Sequence, residues 1–146
     1  MRKCLSLLFL FLISNVFSQE NEYFIDANFD VNNRLVEIYQ TIDFTNTTSN
    51  SLNYIILNDW AHSYSNPKTP LGKRLSEDFT LNFQRSTKNQ RGFTNIIHIK
   101  SDSIILEHTR LKVNIDLVKV KLSNALKPNQ KIRINIKYNI KIPISD

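Results

Sequence analysis

The strongest constraint on this fold is the strict alternation of residues 131–142, which read KIRINIKYNIKI. Every even-numbered position holds isoleucine or Tyr138, and every odd-numbered position holds lysine, arginine or asparagine. Successive side chains of a strand point to opposite faces, so these residues predict a long strand with one dry face and one wet, basic face. β-branched residues also favour a pleated strand over a helix. Such a strand needs a broad apolar layer against its dry face.

The N-terminal residues have the pattern of a secretory signal peptide. Residues 1–3 form a short basic head, and residues 5–17 are almost wholly apolar. Cleavage is predicted after Ser18, which gives a secreted or periplasmic protein. A membrane anchor is the alternative, but it needs ~20 apolar residues. This run is shorter and is interrupted by Ser14 and Asn15, so no membrane span is expected.

The remaining residues, 19–146, are long enough for one domain with a real core, and they contain no linker or repeat. The only cysteine, Cys4, lies in the signal segment, so no disulfide, thiolate nucleophile or cysteine metal site is expected beyond it. Cleavage would leave a net charge of +4, because residues 1–18 carry two of the 19 basic and none of the 13 acidic side chains. The bases are spread along strand faces, and no nucleic-acid partner is expected.

Further strands are predicted along the chain. Asn32 and Asn33 separate the first two, and because asparagine tolerates positive φ they predict a tight two-residue hairpin. Val36, Ile38, Ile42 and Phe44 share one face of the second strand. The first strand alternates in the same way, with one face made of Tyr23, Ile25, Ala27, Phe29 and Val31. In the strand at 116–122, Val118, Val120 and Leu122 are expected to point inward. The third strand is apolar on both parities, which predicts burial on both faces. The predicted strands cover residues 23–31, 34–45, 52–57, 93–100, 104–107 and 116–122.

One short helix is predicted over residues 70–83. Thr69 is its expected N-cap and Pro70 its first residue. An apolar stripe recurs every four residues, at Leu71, Leu75, Phe79 and Phe83. Pro128, which cannot donate to a ladder, marks the loop before the final strand. The expected fold is therefore mainly β, an antiparallel saddle-shaped or sandwich-like sheet with one short inserted helix.

No catalytic constellation is visible in this chain. His62, His98 and His108 are the only candidate imidazoles, and they lack a His-x-x-x-His spacing. A zinc site needs three or four converging ligands, which this spacing does not indicate. There is also no Gly-x-Ser-x-Gly motif and no glycine-rich phosphate loop. No catalytic, cofactor-binding or metal-binding residue is therefore assigned.

Four aspartates and one aromatic cluster are candidate sites in the sequence. A glycosidase pair needs two facing carboxyls about 5–9 Å apart, and no aromatic-rich cleft motif accompanies the aspartates at 26, 30, 43 and 59. Trp60, with His62 and Tyr64, could form a platform for a sugar or peptide. The favoured interpretation is that Trp60 seals the sheet edge or the base of the helix, where its indole N–H finds a partner.

Two short motifs concern modification. Asn46-Thr47-Thr48 matches an N-glycan acceptor, which matters only in a eukaryotic secretory pathway. Asp102-Ser103-Ile104 resembles the short O-glycosylation motif of exported Bacteroidetes proteins, and it lies at a predicted, accessible turn.

Three stretches together resemble a known pattern. These are YFIDANFD with IDFTNT, then LNYIILNDWAHSY with TPLGKR, and finally DLVKVKL with LKPNQ and IKYNIKIP. Their order resembles the N-terminal β-domain of the aminopeptidase N family of zinc metallopeptidases, in its secreted Bacteroidetes-type form, over nearly all of residues 19–146.

The resemblance implies a saddle-shaped sheet that packs against a following thermolysin-like catalytic domain, in cis or as a separate chain. In that family the zinc is held by a His-Glu-x-x-His helix and a distant glutamate, and the substrate amine is recognised by a Gly-x-Met-Glu-Asn loop. None of these motifs is present here, so no catalytic residue is carried over and zinc is expected only in the catalytic domain.

Two functions follow as hypotheses. The chain is a non-catalytic scaffold domain of such a metallopeptidase, or it is an independent secreted β-module that binds a glycan or protein at the cell surface. The first predicts that the isolated domain leaves an apolar patch and the edge of its last strand uncovered. It would then self-associate or bind a hydrophobic dye until the partner domain is supplied.

Overall fold

The computed structural model of the protein describes residues 21–79 and 81–144. The predicted signal peptide and its cleavage site after Ser18 lie outside the described residues. The strands are β1 (Glu22–Asp30), β2 (Leu35–Thr45), β3 (Leu52–Asn58), β4 (Phe93–Ser101), β5 (Ile104–Ile105), β6 (His108–Arg110), β7 (Leu117–Leu126) and β8 (Lys131–Lys141). A 3-10 helix (Trp60–Ser65) and two short α-helices, α1 (Pro70–Glu77) and α2 (Asn82–Arg85), lie between β3 and β4.

The strands form two antiparallel sheets, which confirms the predicted mainly β fold with a short inserted helix. The larger sheet has the order β1-β2-β8-β4-β5, and the smaller has the order β3-β7-β6. The alternating stretch forms β8, which pairs with β2 along its whole length and with β4 on its other side. The expectation of an uncovered edge on this last strand is therefore wrong. The long free edge of the larger sheet belongs to β1.

The core lies between the two sheets, as the alternation of β8 predicts. Ile134 on β8 and Ile99 on β4 are fully buried, and they pack with Val120 on β7 from the opposite sheet. The inward parity predicted for β2 and β7 is confirmed, because the apolar side chains at those positions are buried or partly buried. The smaller sheet thus supplies the apolar layer that β8 needs.

The first hairpin is present, but its turn has four residues rather than two. Asp30 pairs with Leu35 at the end of the ladder. The Asp30 carboxylate accepts hydrogen bonds from the backbone N–H of Asn33 at 3.0 Å and from its Nδ2 at 2.7 Å. The residue with positive φ is Arg34, at 53°. The aspartate side chain organises a longer loop, which the asparagine pair alone did not reveal.

β3 is buried on one face only, which corrects the prediction of burial on both. Ile55 points into the core and is 7% exposed, whereas Tyr54 and Ile56 are 48% and 43% exposed. β3 is an edge strand of the smaller sheet, and no third sheet is present among the described residues to cover its outer face. Lys119 lies over the Tyr54 ring, with its Nζ 4.0 Å from the ring centre. The lysine stem and charge shield part of that exposed apolar surface.

The predicted helix starts where expected and ends early. The Thr69 hydroxyl accepts a hydrogen bond from Gly72 N at 3.1 Å, which confirms the N-cap, and Pro70 is the first helical residue. The helix stops at Glu77, and Phe79 has φ of 59° and is 90% exposed. Phe83 belongs to α2 and packs edge-to-face on Tyr64, with ring centres 6.0 Å apart. The predicted apolar stripe is therefore interrupted at Phe79, its third residue.

Local irregularities shape β4 and the strands after it. β4 carries a bulge between Ile96 and His98. Even-numbered residues (Thr94 and Ile96) therefore point inward before the bulge, whereas the odd-numbered Ile99 points inward after it. The predicted strand at 104–107 is shorter, and His108 begins a separate strand that the sequence did not predict. The turn before β8 is confirmed, and Asn129 has φ of 62° within it.

Candidate functional site

An apolar cleft opens between the two sheets where β3 faces β2 and β8. Its volume is about 500 Å³. The walls are formed mainly by inward side chains of the two sheets: Tyr23, Ile42, Phe44, Ile55, Leu57, Ile96, Ile136, Tyr138 and Ile140. The cleft exists because the five-stranded sheet is wider than the three-stranded sheet that covers it. Concave, mostly apolar cavities of this size are typical of binding sites.

A few polar groups interrupt the apolar wall. The Tyr138 hydroxyl donates a hydrogen bond to Gln40 Oε1 at 2.9 Å. Burial, with a smaller contribution from the Asp59 carboxylate, raises the pKa of Tyr138, so its phenol remains a donor at neutral pH. Asn58 and Asp59 line the cleft at the end of β3. The arrangement offers shape and a few hydrogen-bonding groups, which suits binding rather than bond-making chemistry.

A charged network closes one end of the cleft. Asp59 accepts a hydrogen bond from Arg110 Nη2 at 2.7 Å and one from Thr94 Oγ1 at 2.6 Å. Arg110 Nη1 also donates to the Ile115 carbonyl at 3.0 Å. Asp59 follows β3, Thr94 lies on β4 and Arg110 lies on β6, so the network ties the smaller sheet to the larger one. Sequence reasoning assigned no role to Thr94 or Arg110, since their elements are far apart in the chain.

His62 belongs to the same network. Its backbone N–H donates to Asp59 Oδ1 at 3.3 Å, and its Nδ1 lies 3.1 Å from the Thr94 carbonyl oxygen. Burial and the nearby Arg110 charge lower the pKa of His62, so the neutral ring is favoured. His62 thus serves as a packing and hydrogen-bonding residue at the end of the cleft.

The other two histidines lie elsewhere. His98 is on β4 opposite Lys137, and desolvation together with the Lys100 and Lys137 charges lowers the pKa of His98. His108 lies on β6 opposite Val120. The structure does not bring the three imidazoles together, and within residues 21–79 and 81–144 no three His, Cys, Asp or Glu side chains are grouped as a metal site would require.

The four aspartates singled out in the sequence are also dispersed. Asp26 lies on exposed β1, Asp30 organises the first hairpin, and Asp59 is bound by Arg110. Asp43 forms a bidentate pair with Arg133, with both N–O distances 2.6 Å. The Arg133 hydrogen bond is the main reason that the pKa of Asp43 is lowered. Asp30, Asp43 and Asp59 are therefore each committed to a structural contact.

Trp60 lies at the mouth of the cleft rather than beneath the sheet edge. It begins the 3-10 helix, lines the cleft and is 67% exposed. The interpretation that Trp60 seals the sheet edge or the base of the helix is therefore wrong. Trp60 follows the end of the β3 ladder at Asn58 and begins a 3-10 helix that Asp59 caps, so its indole lies outside the paired part of the sheet.

The apolar face of the larger sheet continues past the cleft onto β1. Tyr23 and Ile25 lie opposite Ile42 and Gln40 of β2, so their side chains share the inner face of the sheet. Phe29 continues this row. These three side chains are 58%, 61% and 66% exposed, because the smaller sheet does not reach β1. The alternation of residues 23–31 predicted this parity but not its exposure.

The structure treats the two modification motifs differently. Asn46 is completely buried, and its Nδ2 donates to the carbonyls of Asn50 and Leu126, both at 2.8 Å. This amide holds the loop after β2 against β7, so it is not an accessible glycan acceptor. Asp102 and Ser103 form an exposed turn between β4 and β5, as predicted.

Comparison with known proteins assigns no family. Neither the protein-family models nor the curated proteins give a match to this chain. No helix in the described part of the chain has both the length and the apolar character needed to cross a membrane. The structural features of this chain that bear on its function are therefore the cleft and the exposed face of β1.

Proposed function

We propose that residues 19–146 form the non-catalytic N-terminal β-domain of a secreted zinc aminopeptidase-like metallopeptidase, a peptide hydrolase whose zinc is held by a separate catalytic domain. The domain acts as a scaffold on which the catalytic domain packs. Export through the signal peptide, with cleavage near Ser18, is part of this proposal.

The observation that best supports the proposal is that the larger sheet is wider than the smaller sheet packed against it. The larger sheet has a largely apolar inner face, but the described residues cover it only as far as the cleft. Tyr23, Ile25 and Phe29 extend that face into solvent. Exposed apolar surface that continues a core commonly marks an interface with another domain.

The reading frame downstream of Asp146 gives the first test. The proposal expects it, or an adjacent gene, to encode a domain with the His-Glu-x-x-His motif. That domain would then be produced with and without residues 19–146, and its solubility and aminopeptidase activity measured. Ile25→Asp should weaken the association, whereas Ile105→Asp, on the exposed far edge at β5, should not. Equal behaviour of the two variants, or full activity without residues 19–146, would contradict the scaffold role.

A second candidate function is favoured by Trp60. An indole that is 67% exposed at the mouth of an apolar cleft can stack on a sugar ring or a peptide side chain. In this alternative the chain is an independent secreted module that binds a glycan or protein at the cell surface. Trp60→Ala should then leave the melting temperature nearly unchanged and abolish binding on a glycan or peptide array. A large drop in melting temperature would contradict it.

A further inference from the structure

β1 is an edge strand without the usual protection. The other strand edges are short or irregular among the described residues: β6 has three residues, and β3 carries a register shift between Leu52 and Tyr54. β5 covers only the last two residues of β4, but the rest of that edge carries a bulge, and the backbone of Thr94 on it is bonded to His62 and Arg110. β1 has nine residues, an unbroken register with β2, and no proline or lysine. In an antiparallel pair alternate residues direct their N–H and C=O groups away from the partner, so β1 presents a regular row of backbone donors and acceptors.

The side chains of β1 carry charge of one sign. Glu22, Asp26 and Asp30 recur every four residues on the outer face, and β1 contains no arginine or lysine. The carboxylate of Asp30 is used by the hairpin loop. Within the described part of the chain, neither Glu22 nor Asp26 takes part in an ion pair. The nearest row of bases, on β8, lies across β2, where Arg133 is bound to Asp43.

The opposite face of β1 is apolar and also exposed. Tyr23, Ile25 and Phe29 point to the inner side of the sheet, where the smaller sheet does not cover them. A strand that paired with β1 would therefore meet apolar side chains on the inner face, and on the outer face the carboxylates with Phe24 and Asn28 between them. The chemistry that matches both faces is an alternation of basic and apolar residues.

A second copy of this chain does not match that chemistry through β1. An antiparallel pair of two β1 strands centred on Asp26 would place Asp26 against Asp26 and Glu22 against Asp30. Like charges directly opposite each other on neighbouring strands are destabilising. The charge pattern disfavours self-pairing in that register, which is the one that pairs all nine residues. In every other register a second β1 still supplies no base for the carboxylates, because it contains no lysine or arginine, so the pattern favours a basic partner.

We propose that β1 binds, by strand addition, an extended partner segment in which lysine or arginine alternates with apolar residues. The partner's backbone pairs with the free edge of β1, its bases lie beside Glu22 and Asp26, and its apolar side chains extend the row of Tyr23, Ile25 and Phe29. This interaction surface goes beyond the proposed scaffold function and does not depend on it, because it requires only an extended basic segment.

The test uses residues 19–146, which contain every described element, and a nonapeptide of alternating lysine and valine labelled with a fluorophore. A peptide of alternating glutamate and valine is the control. We expect the basic peptide to bind with saturable anisotropy and the acidic peptide to bind at least about tenfold more weakly, because it places like charges opposite β1. Comparable binding of both peptides would overturn the proposal.

Matched variants locate the binding surface. Asp26→Lys should weaken binding of the basic peptide about tenfold, and Asp26→Asn should weaken it less, because the first introduces repulsion and the second only removes attraction. Glu77→Lys makes the same charge change on α1, away from β1, and should leave binding unchanged. An equal loss in Asp26→Lys and Glu77→Lys, or no loss in either, would overturn the proposal.

Hydrogen exchange distinguishes strand addition from loose charge attraction. Alternate amides of β1 should gain protection when the basic peptide is added, while those of β5 should not. Protection elsewhere with none on β1 would contradict strand addition.

Sedimentation of the free chain tests whether a second copy of the chain binds to β1 instead. A dimer formed through β1 at the assay concentration would overturn the proposal.

Discussion

Asp59 is the residue through which the two sheets are joined at one end of the sandwich. Its carboxylate is 13% exposed and accepts hydrogen bonds from Arg110, Thr94 and the backbone of His62. If Asp59 were removed, the partly buried guanidinium of Arg110 would still be desolvated but would no longer be compensated by a carboxylate. The role of Asp59 is therefore structural, although it lies on the rim of the cleft.

We predict that Asp59→Ala lowers the free energy of unfolding by about 2 kcal/mol, because several hydrogen bonds to a charged group are lost together. Urea unfolding followed by circular dichroism measures this. Asp43→Ala is the matched control, since it also removes an aspartate–arginine pair, but Arg133 is 61% exposed in that pair. Solvent screens exposed pairs, so the control should have a clearly smaller effect. Equal losses would show that the network does not tie the sheets together.

His62 gives stability a dependence on pH. Burial and the Arg110 charge lower the pKa of His62 in the folded state below its ordinary value of 6.5. The unfolded chain therefore binds a proton more readily, and stability is lost as pH falls below 6.5. The lowered pKa values of Asp30 and Asp43 act separately, because their contribution is lost only as pH falls below 3.8.

We predict that the melting temperature of the wild type falls more steeply than that of His62→Asn as pH is lowered from about 7 to about 5. His98→Gln is the control, because desolvation and the Lys100 and Lys137 charges also lower the pKa of His98. This variant should lose only the contribution of His98 to the pH dependence and keep the contribution of His62. If His62→Asn keeps the full wild-type slope, the ring of His62 is not the titrating group.

At the scale of elements, β8 is the strand on which the larger sheet depends. It lies between β2 and β4, and its inward side chains face β7 across the core. Ile134 is completely buried at its middle. β5, at the far edge, has only two residues, and both are exposed.

We predict that Ile134→Ala lowers the free energy of unfolding by about 3 kcal/mol, because it removes apolar burial and leaves a cavity. Ile105→Ala, at a position that is 69% exposed, should change it by no more than about 0.5 kcal/mol. Chemical denaturation of both variants under one buffer condition provides the comparison. Similar losses would contradict a core centred on β8.

At the scale of the whole molecule, the two sheets differ in width, and this difference creates both the cleft and the uncovered face of β1. Apolar surface of this kind binds hydrophobic dyes and other apolar partners. The proposed scaffold function and the proposed strand addition both use this side of the larger sheet. They differ in that the first needs the apolar face, whereas the second also needs the carboxylates and the free backbone edge.

We predict that the isolated domain increases the fluorescence of a hydrophobic dye. The double variant Tyr23→Ser/Ile25→Thr should reduce that signal and change the melting temperature little, because both side chains are more than half exposed. Ile104→Thr/Ile105→Thr removes exposed apolar surface at the opposite edge of the same sheet and should preserve the signal. No dye binding by the wild type would favour a self-sufficient module.

Local sequence patterns were sufficient to predict the antiparallel, mainly β character of this protein. Alternation along 131–142 and 34–45 defined which side chains point inward, because side-chain direction in a strand is a local property of the backbone. The N-cap at Thr69 and the proline turn before β8 were also predictable, since capping and turn formation depend on neighbouring residues.

The tertiary structure alone decided which faces are covered. The apolar run of β3 predicted burial on both faces, and the alternation of β1 did not indicate whether its apolar face is covered. Each strand lies at an edge, and edge position depends on strand order. The same holds for the site: Asp59, Thr94 and Arg110 come from three distant segments that only the packing of the two sheets brings together. Local patterns specify the direction in which each side chain points. Whether a strand face is covered, and which side chains meet in one site, depend on which segments become neighbours in space.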